Sequence, residues 1–249
     1  MKYYFIFCLF FFLNNLLCRA ETSVTSETIK IKVVTEESYP LQYSENGKVS
    51  GPATALVEQV LSASNISYDI EIMPWARAYR VALNEPNVLI YSLAKTPKRS
   101  AAFKWVGKIM ALEYYLYGSV DSKITQHTSF EALKEYRIGT IRDSAVFQYL
   151  NRNDFKNLSV TVKGMQNIML LNANRIDLFP ANKSTFKASC LEHELDCKNV
   201  KPVYKLDMPA VNLFMAFSQL TDDAIVEKVR AGYNQIKNDR DTIIDLDIN

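Results

Sequence analysis

The stretch Met73–Trp105, MPWARAYRVALNEPNVLIYSLAKTPKRSAAFKW, decides how the rest of the chain is read. Trp75 to Leu83 is predicted as a helix, with Pro74 tolerated at its start because the first helical amides have no intrahelical partner. Val88-Leu89-Ile90-Tyr91-Ser92 is a short apolar run ending in a hydroxyl, the pattern of a buried strand. Ser92 to Arg99 then forms a polar turn, and Phe103-Lys104-Trp105 closes the unit. A buried strand that runs into a Ser/Thr/Arg turn aims a guanidinium into a cleft, and the planar fork of arginine matches a carboxylate. Arg99 and Ser92 are therefore candidate ligand contacts. Trp75 and Arg77 are two more, although an aromatic of this size also suits a core and an arginine on a helix also suits a solvated face.

Upstream, Ile29 to Thr35 reads as a first strand, and Glu36 to Tyr43 (EESYPLQY) as a polar, aromatic loop after it. Ser44 to Lys48 is a turn. Ala53 to Ala63 carries Leu56, Val57, Val60 and Leu61 at helical spacing, and Tyr68 to Met73 alternates as a second strand. Strand, helix, strand, helix, strand at these intervals is an α/β grammar. Ligands of open α/β sheets sit beyond the carboxyl ends of the strands. Three loops lie there: 36–43, 75–77 and 92–99. Glu36, Tyr39 and Tyr43 of the first loop join the candidate set, since loop aromatics serve as binding walls.

Downstream, Met110 to Gly118 is predicted as one long aromatic strand. A second α/β unit follows: a helix over 129–136, a strand over 137–140, a helix from Val146 to Leu150, a strand over 158–162, a helix over 165–173 and a strand over 175–182. Asp143 or Ser144 caps the helix after 145, and the free amides there welcome an anion. Val211 to Phe217 is a further strand. Thr221 caps a last helix whose apolar face is Ile225, Val229, Tyr233 and Ile236. That helix needs the first sheet as partner. The expected division is residues 21–118 plus 207–249 as lobe one and 119–206 as lobe two, with two crossings that make a hinge.

Residues 1–20 read as a signal peptide: one lysine, an apolar run from Tyr3 to Leu13, and small residues before a polar start. Cleavage is placed after Ala20. Leu17 is too bulky for a lipobox, so anchoring through Cys18 is not expected. Lys2 and Arg19 leave with the leader, which brings the 29 basic residues down to match the 27 acidic ones. A balanced charge gives no argument for nucleic acid. The product is expected to be exported, periplasmic and monomeric. Cys190 and Cys197 remain, and a pair this close in an oxidising compartment is a candidate disulfide. A metal site using His193 with Glu192 or Glu194 is the alternative, and it lacks a second pair at zinc spacing.

These residues resemble the family 3 bacterial extracellular solute-binding proteins, the amino-acid-type periplasmic binding proteins. The resemblance covers nearly all of the mature chain. It rests on Tyr39-Pro40-Leu41, on Gly47 and Gly51 ahead of a helix, and on Ser92 with Thr96-Pro97-Lys98-Arg99 and Phe103. Arg175-Ile176-Asp177 and the closing strand–helix pair from Ala210 to Asn238 fit as well. Pro74-Trp75-Ala76-Arg77-Ala78-Tyr79 together with Phe103 to Gly107 looks like a less characterised branch. The resemblance implies a two-lobed type II periplasmic binding fold with lobes joined by two hinge strands. It also implies that Arg99 and Ser92 grip a ligand carboxylate from lobe one, and that Ser144 supports it from lobe two. The family's glycine before that hydroxyl is Asp143 here. Its ammonium-binding aspartate is Asn182, an amide. Glu36 or Glu37 could supply the missing negative charge.

The function this implies is capture of a small polar, carboxylate-bearing solute and its delivery to a membrane ABC importer, with no cofactor, no metal and no catalysis. A soluble partner that presents ligand to a membrane sensor would use the same cleft. An enzyme on this fold is the third reading. The chain has no Ser-His-Asp set, zinc motif or glycine-rich phosphate loop, and offers at most an acid/base pair such as Glu36 with Asp177.

Overall fold

The computed structural model describes residues 30–208 and 211–238. The leader, its cleavage point and Cys18 fall outside the described residues. The first strand, β1 (Lys30–Thr35), alternates at its start and then turns fully buried. The reason is its place in the sheet. After the β2 (Tyr43–Glu45) and β3 (Lys48–Ser50) hairpin and helix α1 (Pro52–Ala63), the chain returns as β4 (Ser67–Ile72). It then passes through α2 (Trp75–Asn84) to β5 (Val88–Ala94). β1 lies parallel between β4 and β5, so its central residues are covered by neighbours and by helices on both faces.

Gly51 makes the tight approach before α1. Its φ is 109°, and an added Cβ would lie 2.4 Å from the Leu41 carbonyl oxygen. A side chain is excluded there on both counts. Helix α1 buries Leu56, Val57, Val60 and Leu61 against the sheet. Each such side chain is worth about 1.5–3 kcal/mol.

The remaining elements are α3 (Pro97–Ser100), β6 (Phe103–Leu112), β7 (Tyr115–Ser119), β8 (Ile138–Ile141) and α4 (Ala145–Arg152). They continue as β9 (Leu158–Thr161), α5 (Met165–Asn172), β10 (Phe179–Ala181), α6 (Lys183–Glu192), β11 (Val200–Lys205), β12 (Val211–Ser218) and α7 (Asp223–Asn238). The first sheet has the order β4-β1-β5-β12-β6, with β12 antiparallel to both neighbours. The second region pairs β8 with β9 in parallel and sets β7 antiparallel between β10 and β11. A bridge from Ile138 to Leu178 and the bond from Gly139 N to Leu178 O (2.8 Å) join the two pieces. The resulting order β9-β8-β10-β7-β11 repeats that of the first sheet.

The strand expected over 110–118 is two strands. β6 belongs to the first sheet and β7 to the second, with Glu113 and Tyr114 between them. The chain returns between Lys205 and Val211, and Leu206 N donates to Tyr114 O (3.0 Å), so the two crossings hold each other. Tyr114 and Met208 pack against the cores of both lobes. The helix expected over 129–136 is a single 3-10 turn, Ala132–Glu135. The strand expected over 175–182 is reduced to the three residues of β10. Cys190, in α6, and Cys197 form a disulfide with their Cα atoms 6.1 Å apart. Among the described residues, no group of three or more His, Cys, Asp or Glu side chains could hold a metal, and no helix is long and apolar enough to cross a membrane.

Candidate functional site

The loops after β1, β4 and β5 face the start of α4 across the boundary between the lobes. Arg99 sits at the centre. Pro97 opens the four-residue helix α3, and Arg99 N donates to Thr96 O (2.9 Å), which turns the side chain inward. The side chain is 0% exposed. Its guanidinium carbon lies 5.1 Å from the Trp75 ring and 5.0 Å from the Tyr79 ring. Nη1 donates to Ala94 O at 3.2 Å, and Nη2 donates to Asp143 O at 2.6 Å. Nε has no partner among the described residues. Burial lowers the Arg99 pKa, while Tyr79, Glu36 and Asp143 oppose that shift. An arginine remains charged throughout.

The Asp143 carbonyl is the meeting point. Besides Arg99, it accepts from Trp75 Nε1 at 3.2 Å and from Gln148 Nε2 at 3.2 Å. Asp143 has φ 57°, the left-handed geometry that glycine adopts most readily. Aspartate is one of the few other residues that adopts it routinely. Ser144 follows as the cap of α4, accepting from Phe147 N at 3.1 Å. Gln148, one turn further, also accepts from the Thr96 hydroxyl at 3.4 Å. Ile141 packs on the apolar cluster of Trp75, Ala78 and Leu93.

Glu36 follows β1 at the same boundary and keeps part of its surface. Its pKa is raised from the usual 4.5 to about 7, because burial disfavours the carboxylate, with the Arg99 charge pulling the other way. Partial surface and strong desolvation are compatible here, because Glu36 also acts on Tyr114 of the hinge and so lies between the lobes. The Tyr114 hydroxyl is pushed upward by burial first and by Glu36 second. Ser92 has φ 55° and its hydroxyl donates to Gln42 Oε1 at 2.9 Å. Tyr39 and Tyr43 pair with ring centroids 4.9 Å apart. The Tyr39 carbonyl accepts from Ser189 Oγ of α6 at 3.3 Å, a second contact between lobes. Lys163 reaches Glu37 at 3.9 Å.

Asn182 stands at the hinge. Its Nδ2 donates to Glu113 O at 2.9 Å, and its Oδ1 accepts from Thr185 N at 3.4 Å. The Arg77 side chain is exposed and makes no hydrogen bond or ion pair among the described residues, while its backbone N donates to Pro74 O (2.8 Å). Two positions on a helix turn the side chain by about 200°, so a buried Trp75 puts Arg77 on the opposite side. Asp177, half of the acid/base pair considered from sequence, has both oxygens on Arg137, at 3.0 and 2.6 Å, and also accepts Arg137 N.

Four participants escaped the sequence reading: Tyr79, Thr96, Gln148 and the Asp143 carbonyl. Two had a usable signal. Tyr79 is four residues after Trp75 and Gln148 four after Ser144, so each shares a helix face with a residue already singled out.

Two α/β lobes of like strand order, two crossings and a boundary lined by strand-end loops define the periplasmic-binding-protein fold. No protein-family model matches the sequence, and no curated protein matches it. Solved structures do. A histidine kinase sensor domain with similarity to periplasmic binding proteins is 18% identical over 84% of this chain and 91% of that one, with a TM-score of 0.75. Holo ArgBP from T. maritima is 13% identical over 84% and 90%, with a TM-score of 0.71. An amino acid ABC transporter substrate-binding protein, AbpA, from Streptococcus pneumoniae, bound to L-arginine, is 14% identical over 84% and 90%, with a TM-score of 0.71. These likenesses establish the fold.

Proposed function

We propose that the protein is an exported solute-binding protein. Its lobes close on a small polar solute bearing a carboxylate and an ammonium. The observation that carries this reading is Arg99: a wholly buried guanidinium at the lobe boundary, with Nε unpartnered and Nη2 turned across to the other lobe. A buried cation with donors to spare favours an anionic group, and a carboxylate offers the bidentate match. Ser92 and the aromatic walls Tyr39, Tyr43 and Trp75 flank it from lobe one. Ser144 and Asn182 complete the site from lobe two, while Arg77, on the opposite side of its helix from Trp75, takes no part. Glu36 is the carboxylate that meets an ammonium, a role that the amide of Asn182 cannot take. Binding shifts the population toward closed lobes, because solute contacts both at once.

Catalysis is not part of this reading, and Asp177, half of the acid/base pair the sequence offers, is held by Arg137. The closed form is delivered to a membrane ABC importer. The likeness to a sensor domain supports a second output, presentation of the solute to a membrane receptor. The protein acts as a monomer in either case. The test begins with mature protein that has been denatured and refolded to strip carried-over solute. Melting is then followed against amino acids, small carboxylates, amines and short peptides. A stabilisation of several degrees by one zwitterionic class, lost in Arg99→Lys, is expected; a hit that Arg99→Lys leaves unchanged refutes the role of Arg99. Photo-crosslinking in membranes that hold either an importer or a sensor separates the two outputs.

A further inference from the structure

The Asp143 carbonyl oxygen receives three donors, from Trp75, Arg99 and Gln148, where a carbonyl has lone pairs for two. Two of those donors come from lobe one and reach it across the boundary. The Arg99 bond is short and charge-assisted, and it lies in a setting where Arg99 is fully buried and Trp75 is 4% exposed. Bonds of that kind are about twice as strong as neutral ones. Thr96 adds a third connection between the lobes by donating to Gln148, which is itself tied to the Asp143 carbonyl within lobe two. The left-handed backbone at Asp143 points its carbonyl toward lobe one, and the Ser144 cap fixes the α4 start behind it. Ile141 adds apolar contact to the same cluster.

We infer that Trp75 and Gln148 are positioning residues of an internal clasp, which uses the Asp143 carbonyl to hold the lobes closed on this flank. All of its bonds run from protein to protein. Closure on this flank therefore needs no solute, and the solute-free protein populates the closed form. Two consequences follow. A solute anion competes with the Asp143 carbonyl for Nη2 of Arg99, so the clasp sets the affinity at that donor. A donor deleted from the clasp moves the lobe equilibrium even where nothing is bound, because a ligand-free equilibrium responds only to contacts that differ between its two states.

The experiment uses stripped, refolded protein carrying fluorophores at Glu85→Cys in lobe one and Asn151→Cys in lobe two, both exposed positions. The native disulfide is left intact. Single-molecule energy transfer between the dyes reports lobe separation. The unmodified clasp is expected to give a populated short-distance state without solute. Trp75→Phe keeps an aromatic ring beneath Arg99 and removes the indole donor, together with part of the ring volume. Gln148→Leu removes the amide from a partly exposed helix position. Each is expected to reduce the closed-to-open ratio about fivefold, the effect of one net hydrogen bond, and the double variant more. Circular dichroism and melting are recorded on the same samples, so a fold defect is seen separately. A solute-free protein found only in the long-distance state overturns the inference. So does a distance distribution that folded Trp75→Phe and Gln148→Leu leave unchanged. Neither outcome touches the proposed solute-binding role, which the melting screen tests by itself.

Discussion

Glu36→Gln is the perturbation whose effect the structure fixes most closely. Glu36 ionises near pH 7 in the folded protein instead of near 4.5, because burial at the lobe boundary outweighs the help of Arg99. The raised pKa means that the folded state holds the proton more tightly than the unfolded chain does. Its contribution to stability is therefore fully present below pH 4.5, declines as the pH rises, and is lost above about pH 7. At 1.36 kcal/mol per pH unit the difference comes to about 3 kcal/mol as an upper bound, and to about 2 once partial solvent contact of the side chain is counted. Glutamine has the shape without the titration. Urea denaturation from pH 4 to 8.5 should show the parent losing about 2–3 kcal/mol relative to Glu36→Gln, with the gap opening between the two pKa values. For a chain of this size that is roughly 4–12 °C in melting temperature. Asp177 and Asp223 are held low by hydrogen bonds from Arg137 and Lys104, and they weaken the protein on the acid side in both proteins equally. Taking the difference removes them. Parallel profiles for parent and variant would refute the burial argument.

Other expectations rest on packing and on covalent geometry. In Gly232→Ala the new Cβ would lie 2.1 Å from Ser64 Oγ and 2.7 Å from Val60 O, so α7 must move off α1; a cost of about 1–3 kcal/mol in chemical denaturation is expected, and none would contradict the close packing. Replacing Cys190 and Cys197 together with serine opens a small loop and should cost about 2.5 kcal/mol by the chain-entropy relation, measurable as a lower urea midpoint. Asn182→Asp keeps the α6 cap but turns a donor to Glu113 O into a second acceptor; a loss of about 1–3 kcal/mol is expected, larger at pH 8 than at pH 4 in the same denaturation assay.

The first sheet was legible because its elements obey simple periodicities. β1, α1, β4, α2 and β5 fall within two residues of where apolar spacing puts them. Helix α6 was not, since Lys183 to Glu192 has no continuous apolar face and is held by Phe186 against Tyr117, by the Asn182 cap and by the disulfide. The break between β6 and β7 was hidden for the opposite reason. Residues 110–118 are apolar almost throughout, and which sheet each half joins is a tertiary fact. Among the site residues, Arg99 and Trp75 could be found by residue type. The Asp143 carbonyl could not, because a backbone oxygen has no sequence signature and only the left-handed φ at that position aims it.

The place of β12 in the first sheet has a consequence for the order of assembly. β12 lies between β5 and β6, and among the described residues β6 has no other neighbour in that sheet. Among the described residues, every strand of the second sheet comes from one continuous segment, 115–205. The first sheet instead waits for a strand and a helix made after that segment is complete. Along a chain produced from its amino end, the inserted lobe can mature while its host still has an open edge at β5. That edge is a strand whose residues are nearly all buried in the finished protein. An exposed apolar strand is a template for pairing with other chains. The vulnerable moment in the life of this protein is therefore the interval before residue 211 arrives, and truncations that end there should aggregate rather than fold.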